Sequence, residues 1–297
     1  MTVIKASLVK ALRERTGAGM MECKKALVEV DGDIEAAIEL MRKRGQAKAA
    51  KRAGQTAREG KVFIAVSPDS KQAYMVEVNC ETDFVARDEN FCLFVERLAQ
   101  RGLESKAETV EKLLNLPDVA TAGEQTLEAQ RTALIAKVGE NIQLRRVARL
   151  TSAGLIGTYC HGSRIGVMVS LDQPVPDIAK EIAMHVAAMN PQAVDADRVS
   201  PQLIEKEREI YLAQAKESGK PEAIVEKMVA GRIAKFIKEI CLVEQIFVKD
   251  PDKTIKSLLH PHGAHVLDFV RFEVGEGVEK EIVDFAKEVQ AQIKGQQ

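Results

Sequence analysis

Apolar positions in the first fifty residues recur at helical spacing in three short runs. Leu8, Val9 and Leu12 predict a helix that stops at Thr16-Gly17-Ala18-Gly19. Met20, Cys23, Ala26, Leu27 and Val30 predict a second, ending at Asp31-Gly32. Asp33 offers a side-chain cap for a third, with Ile34, Ala37, Ile38 and Met41 on one face and Gly45 as its close. Helices this short are marginal alone and need each other's apolar faces.

Further along, one plan runs twice. Residues 60–66 read as a strand, Pro68-Asp69-Ser70 as a turn, 74–78 as the returning strand, and a helix starts near Asp88 with Phe91, Phe94, Val95 and Leu98 at spacings of three and four. Residues 154–159 are again a strand, followed by a turn near His161-Gly162-Ser163 and a strand over 164–169. Ile178, Ile182, Val186 and Met189 line the helix after it. Between the copies lie a helix over 127–138 and a strand over 142–150. Arg271-Phe272-Glu273-Val274 supplies a late strand before Gly275-Glu276-Gly277, and 278–293 a final helix. Two hairpin-plus-helix units predict duplicated subdomains, each covering a sheet face with helices.

A helical hairpin interrupts the second copy. Ser200-Pro201 reads as a cap followed by proline at the first helical position. Leu203, Ile204, Ile210 and Tyr211 line one arm up to Gly219-Lys220-Pro221. Ile224, Val225, Met228, Ile233, Phe236 and Ile237 line the other. A protruding pair of arms exposes one apolar stripe unless a second copy of the chain or a partner covers it.

The segment Asn79-Cys80-Glu81-Thr82-Asp83-Phe84-Val85-Ala86 breaks an apolar strand into a polar turn carrying one phenylalanine. Phe84 has two readings: a wedge held out for another protein, or a staple folded over the helix that starts near Asp88. Met20-Met21 likewise reads as core or as a flexible apolar pad.

Composition narrows the function classes. The 297 residues, 45% hydrophobic and 29% charged, predict about two domains of an ordinary soluble kind. A formal charge of −1 provides no global field toward nucleic acid or membrane. The first thirty residues hold no secretory apolar core, and no run nears the roughly 20 apolar residues of a spanning helix. Five scattered cysteines form neither a disulfide framework nor a zinc pattern, so a reducing cytoplasm fits best. Arg42, Lys43, Arg44, Lys48, Lys51, Arg52 and Arg58 form a basic stretch without acids or aromatics. It reads as a solvated linker, and direct RNA binding is not expected from it.

The search for covalent chemistry comes up empty. There is no Gly-x-x-x-x-Gly-Lys-Ser/Thr loop, no His-Glu-x-x-His pair and no Gly-x-Ser-x-Gly. Cys160 and His161 are adjacent in a strand, which sends their side chains to opposite faces. His185 reads as a packed core histidine, and His260, His262 and His265 as a loop without a completed metal set. No catalytic residue, metal or cofactor is expected.

Five longer motifs, in order along the chain, carry a resemblance. Residues 8–27 read Leu-Val-Lys-Ala-Leu-Arg-Glu-Arg-Thr-Gly-Ala-Gly-Met-Met-Glu-Cys-Lys-Lys-Ala-Leu, and 77–86 read Glu-Val-Asn-Cys-Glu-Thr-Asp-Phe-Val-Ala. Lys137-Val138-Gly139-Glu140-Asn141-Ile142 follows. Residues 182–188, Ile-Ala-Met-His-Val-Ala-Ala, and 271–277, Arg-Phe-Glu-Val-Gly-Glu-Gly, complete the series. Together they resemble bacterial elongation factor Ts, in the long form with an inserted helical hairpin; residues 103–126 and 244–264 match least.

The resemblance implies an α+β protein. It would have a ubiquitin-associated-like three-helix domain over 1–54 with a basic linker to about 58, core subdomains over 59–150 and 151–275, the hairpin at about 195–241, and a C-terminal helical module over 276–297. It implies a guanine nucleotide exchange factor for the GTPase elongation factor Tu in translation, binding the GDP form and displaced by GTP. Thr82, Asp83, Phe84 and Val85 match the motif that disturbs the GTPase Mg²⁺ site. Arg13, Met20, Met21, Lys24 and His161 match further contact positions. Two other classes stay open on the residues alone: a binding module carried by residues 1–54, and an RNA-associated role of 42–58.

Overall fold

The structure, a computed structural model, describes residues 4–119, 125–217 and 221–278. Helix α1 (Ala6–Thr16) ends at Gly17, whose positive φ of 64° lets its N–H return to the Arg13 carbonyl. Helix α2 (Met20–Glu29) follows, and α3 (Ile34–Arg52) starts where the Asp33 side chain accepts from the Ala36 N–H. Val9, Leu12, Cys23, Ala26, Leu27 and Ala37 form their shared core.

Helix α3 does not close at Gly45, and most of the expected basic linker is its second half. Gly45 is buried inside the helix, and a Cβ there would stand only 3.3 Å from the Ala136 Cβ. The glycine serves close approach of two helices and not a left-handed cap. The cations on this half meet carboxylates: Lys43 with Glu39, Arg44 with Glu29, Lys48 with Glu22, and Arg52 with Glu81.

Strands β1 (Glu59–Val66) and β2 (Gln72–Cys80) form the first hairpin. Helices α4 (Asp83–Ala86), α5 (Glu89–Ser105), α6 (Val110–Leu114) and α7 (Leu127–Val138) intervene before β3 (Ile142–Thr151) completes an antiparallel sheet in the order β1-β2-β3. Helix α5 lays Phe91, Phe94, Val95 and Leu98 on this sheet. Its cap, Asp88, accepts from the Asn90 and Phe91 N–H groups.

The second sheet repeats the order with β4 (Leu155–His161), β5 (Ile165–Leu171) and β6 (Val266–Glu273). Strand β6 begins at Val266, ahead of the expected Arg271, because Val266 already pairs with Leu171. Helix α8 (Pro176–Met189) covers one face of this sheet. The inserted hairpin consists of α9 (Pro201–Lys216) and α10 (Glu222–Ile240), and α11 (Ile255–Leu259) precedes β6.

Two expectations about the hairpin change. The Ser200 side chain does not cap α9; its hydroxyl donates to Gln202 Oε1. Part of the apolar stripe is covered within the hairpin itself, arm against arm. Ala215, Val225, Val229 and Ile233 are buried between the arms, with Tyr211, Leu212 and Ile237 against them. Ile210 and Ile224 remain exposed on the arms. The expected final helix over 278–293 lies outside the described residues, apart from Val278.

The central strands β2 and β5 are buried along nearly their whole length. Tyr74, Val76 and Val78 of β2 face the helices, while Ala73 and Met75 face the second sheet. Val167, Val169 and Leu171 of β5 face α8, and Met168 faces the first sheet. The layers therefore run helices, sheet, sheet, helices. Gly166 sits against the first sheet: an added Cβ would meet Val62 Cγ1 at 2.4 Å. Each hairpin turn also feeds the opposite sheet, with Ile156 N–H donating to the Ser70 carbonyl and Val62 N–H to the Ser163 carbonyl, both at 2.8 Å.

A buried carboxylate clasps the layers together. Glu77 of β2 is fully buried and accepts from Arg145 Nη1 (3.0 Å), Arg146 Nε and the Gly275 N–H (2.9 Å). Arg146 continues to Glu276, which also meets Arg271. Among the described residues no helix is long and apolar enough to cross a membrane.

Candidate functional site

The sequence segment read as a turn is the short helix α4, and its residues divide sharply by environment. Successive helical positions point about 100° apart. Val85 and Ala86 turn into the core beside Phe91 and Phe94, and Phe84 turns out, 83% exposed. The staple reading is thereby overturned: Phe84 covers nothing of α5. Leaving such a ring in water forgoes about 1.5–3 kcal/mol of burial.

The anchoring is local on one side and long-range on the other. Thr82, in extended conformation, accepts from the Val85 N–H through Oγ1. Its own N–H and hydroxyl donate to Glu140 Oε2 (3.0 Å) and Oε1 (2.7 Å). Glu81 accepts from the Asn141 N–H at 2.6 Å, and its other oxygen lies 3.5 Å from Arg52 Nη1. Asp83 pairs with Arg87 at 3.0 Å on the surface, a contact of small energetic weight. Below the turn, Cys80 is buried, and its thiol is pushed up to about 12 by burial and then by the charge of Glu140. Burial alone would raise the Asp88 carboxyl; hydrogen bonds from the Asn90 side chain and the Phe91 and Asn90 N–H groups bring it below the ordinary carboxylate value.

The remaining sequence-predicted residues lie on other surfaces. Met20 and Met21 are 49% and 65% exposed at the start of α2, so they form an open pad and not core. Lys24 is exposed on the same helix and Arg13 on α1. Val28, one turn beyond Lys24 and also exposed, extends the pad and was not singled out from the sequence.

His161 is the last residue of β4, paired with Ile165, and not a turn residue. Its Nδ1 lies 3.2 Å from Tyr159 Oη. It borders a groove of ≈ 600 Å³ lined also by Ile165, Met184, Ala187, Val248 and Arg271. His185 supports this groove from beneath. The Val248 N–H donates to its Nδ1 at 3.2 Å, leaving Nε2–H to donate to Gln245 Oε1 at 2.9 Å, and burial lowers its pKa.

Among the described residues no group of three or more His, Cys, Asp and Glu side chains is placed to hold a metal ion. The described residues offer an exposed aromatic ring at Phe84, hydrogen-bonding groups around it, and exposed apolar side chains at the start of α2.

A model of the family described as Elongation factor TS matches residues 81–276. The chain is 57% identical over 295 residues to Elongation factor Ts of Coxiella burnetii (strain Dugway 5J108-111), covering 99% of each chain. It is 57% identical over 294 residues to Elongation factor Ts of Thioalkalivibrio sulfidiphilus (strain HL-EbGR7), covering 98% of this chain and 99% of the relative. With Elongation factor Ts of Hahella chejuensis (strain KCTC 2396) the identity is 55% over 296 residues, covering 99% of this chain and all of the relative. An α+β chain matched in this way through both sheets and along nearly its full length belongs to the elongation factor Ts family.

Proposed function

We propose that this chain is a guanine nucleotide exchange factor for the translational GTPase elongation factor Tu, acting in the cytoplasm and without covalent chemistry of its own. The observation that carries the reading is Phe84, held 83% exposed on a helix whose neighbouring residues are core. GDP on such a GTPase is held by a phosphate-binding loop and by Mg²⁺ bridging to phosphate oxygens. An exchange factor binds the nucleotide-free conformation better than the GDP form, so each ligand weakens the other by the same factor. Phe84 enters the GTPase as the wedge that disturbs the Mg²⁺ and phosphate site. Asp83 fixes its approach through hydrogen bonds, and Thr82 and Val85 shape the turn. GTP binding then displaces the factor.

Arg13, Met20, Met21 and Lys24, with Val28 beside them, grip a second region of the partner, and His161 a third. The division into a ubiquitin-associated-like module over 1–54, subdomains over 59–150 and 151–275 and a C-terminal module over 276–297 belongs to the same proposal. RNA is not part of it. Pairing of Lys43, Arg44, Lys48 and Arg52 with carboxylates supports that exclusion. Self-association through the hairpin is not required either, since its arms cover each other.

The test is stopped-flow release of a fluorescent GDP from elongation factor Tu. Wild type accelerates release. Phe84→Ala lowers the acceleration about 10- to 100-fold, the worth of one buried phenylalanine ring. Unchanged exchange by the variant refutes the wedge, and no acceleration by the wild type refutes the exchange reading itself.

A further inference from the structure

We infer that Glu140 is the residue that positions the wedge: it holds Thr82 so that Phe84 is presented outward, although it lies 58 residues away in sequence. This rests on the exchange reading above.

The argument starts from the end of the sheet. The β2–β3 ladder finishes at the pair Cys80↔Ile142. Past it the two chains stay laced by side chains in a crossed arrangement. Glu81 accepts the Asn141 N–H, and Glu140 accepts the Thr82 N–H. Glu140 also accepts a hydrogen bond from the Thr82 hydroxyl, which leaves that oxygen's lone pairs free to accept from the Val85 N–H. The result is a directed chain from Val85 N–H through Thr82 hydroxyl to Glu140 carboxylate. It orients the first turn of α4 and with it the outward direction of Phe84.

A carboxylate suits the task because it is acceptor-only, and both groups it meets are donors. Charge on the acceptor strengthens each bond. Four residues of helix make too little internal hydrogen bonding to hold a conformation alone. Arg52 at the end of α3 steadies Glu81 from the other side, and Asn141 Nδ2 donates to the Gln55 carbonyl at 2.8 Å. The clamp therefore ties the wedge to the same helix that carries the N-terminal module. Glu140 itself touches no part of the Phe84 ring by any hydrogen bond or ion pair; its influence passes through Thr82.

The test uses the full chain and the variants Glu140→Ala, Thr82→Val and Thr82→Ser, with amide hydrogen exchange over residues 80–88 and stimulated GDP release. Glu140→Ala and Thr82→Val raise amide exchange over 82–86 about tenfold or more. They lower the maximal release rate about tenfold while changing the half-saturating factor concentration less than about threefold. Thr82→Ser keeps the hydroxyl and restores both readouts. In a Phe84→Ala background, Glu140→Ala costs less than about twofold more, because the wedge it positions is already gone.

Unchanged amide protection in Glu140→Ala overturns the clamp. Equal loss of release in both backgrounds overturns the positioning role, because a general structural defect acts without Phe84. If the wild type fails to accelerate GDP release, the exchange reading falls and takes the positioning role with it. The amide protection still reports the clamp separately, so the two failures are distinguishable.

Discussion

Truncating Glu77 removes the acceptor on which both sheets converge. Glu77→Ala deletes a fully buried carboxylate and strands three donors: Arg145 Nη1, Arg146 Nε and the Gly275 N–H. Breaking a buried ion pair by removing one partner costs about 3–5 kcal/mol. The two arginine side chains keep 24% and 30% of their surface in water, so they can re-solvate in part. The Gly275 N–H, on a half-buried turn, loses its acceptor as well. The expected loss is therefore at the lower end, about 3 kcal/mol, or a fall of about 6–10 °C in the unfolding midpoint. Glu77→Gln keeps one acceptor oxygen and the side-chain shape and loses about half as much.

The assay is urea and thermal unfolding followed by circular dichroism, with Arg146→Ala and the double variant completing a cycle. Glu77 and Arg146 should couple by about 1–3 kcal/mol. A loss below about 1 kcal/mol for Glu77→Ala refutes the clasp. So do additive effects of the two substitutions.

Two further outcomes follow from buried groups. Burial holds the His185 pKa below its ordinary 6.5, so as pH falls the unfolded chain takes up this proton before the folded one does. Stability should decline below about pH 6.5 by up to about 1.4 kcal/mol per pH unit, until the folded pKa is also passed. Unfolding midpoints against pH should lose this component in His185→Gln, and parallel profiles would refute it. Thiol labelling should reach Cys160 first, since it is exposed, although the surrounding chain raises its thiol and slows the reaction below that of a free cysteine. Cys80, buried and with its thiol near 12, should react only on unfolding; native-state labelling of Cys80 would contradict the closed packing under the wedge.

Local pattern was enough to determine which faces of this chain are apolar. The Asp88 cap and the spacing of Phe91, Phe94, Val95 and Leu98 specify α5 without reference to any other element, because helix periodicity and capping are short-range. The two hairpins are legible for the same reason, each being an apolar run, a polar turn and a second run. The motif around Phe84 was legible as a candidate contact, but the choice between wedge and staple was not.

The outward Phe84 sits beside a Thr82–Glu140 contact that spans 58 residues and that no local spacing encodes. Gly45 read as a helix stop because glycine often ends helices; only the approach of α7 makes it a packing residue that α3 runs through. Glu77 carries no local signal of its role in the strand over 74–78, because the Gly275 turn and the two arginines that enclose it come from elsewhere in the fold. The hairpin pair read as exposing one apolar stripe; facing arms bury Ala215, Val225, Val229 and Ile233 between them and leave Ile210 and Ile224 exposed. Sequence alone determined most of the longer elements, their apolar faces and the family to which they point. The tertiary structure alone decided which faces meet, because burial and pairing are properties of two surfaces and periodicity is a property of one.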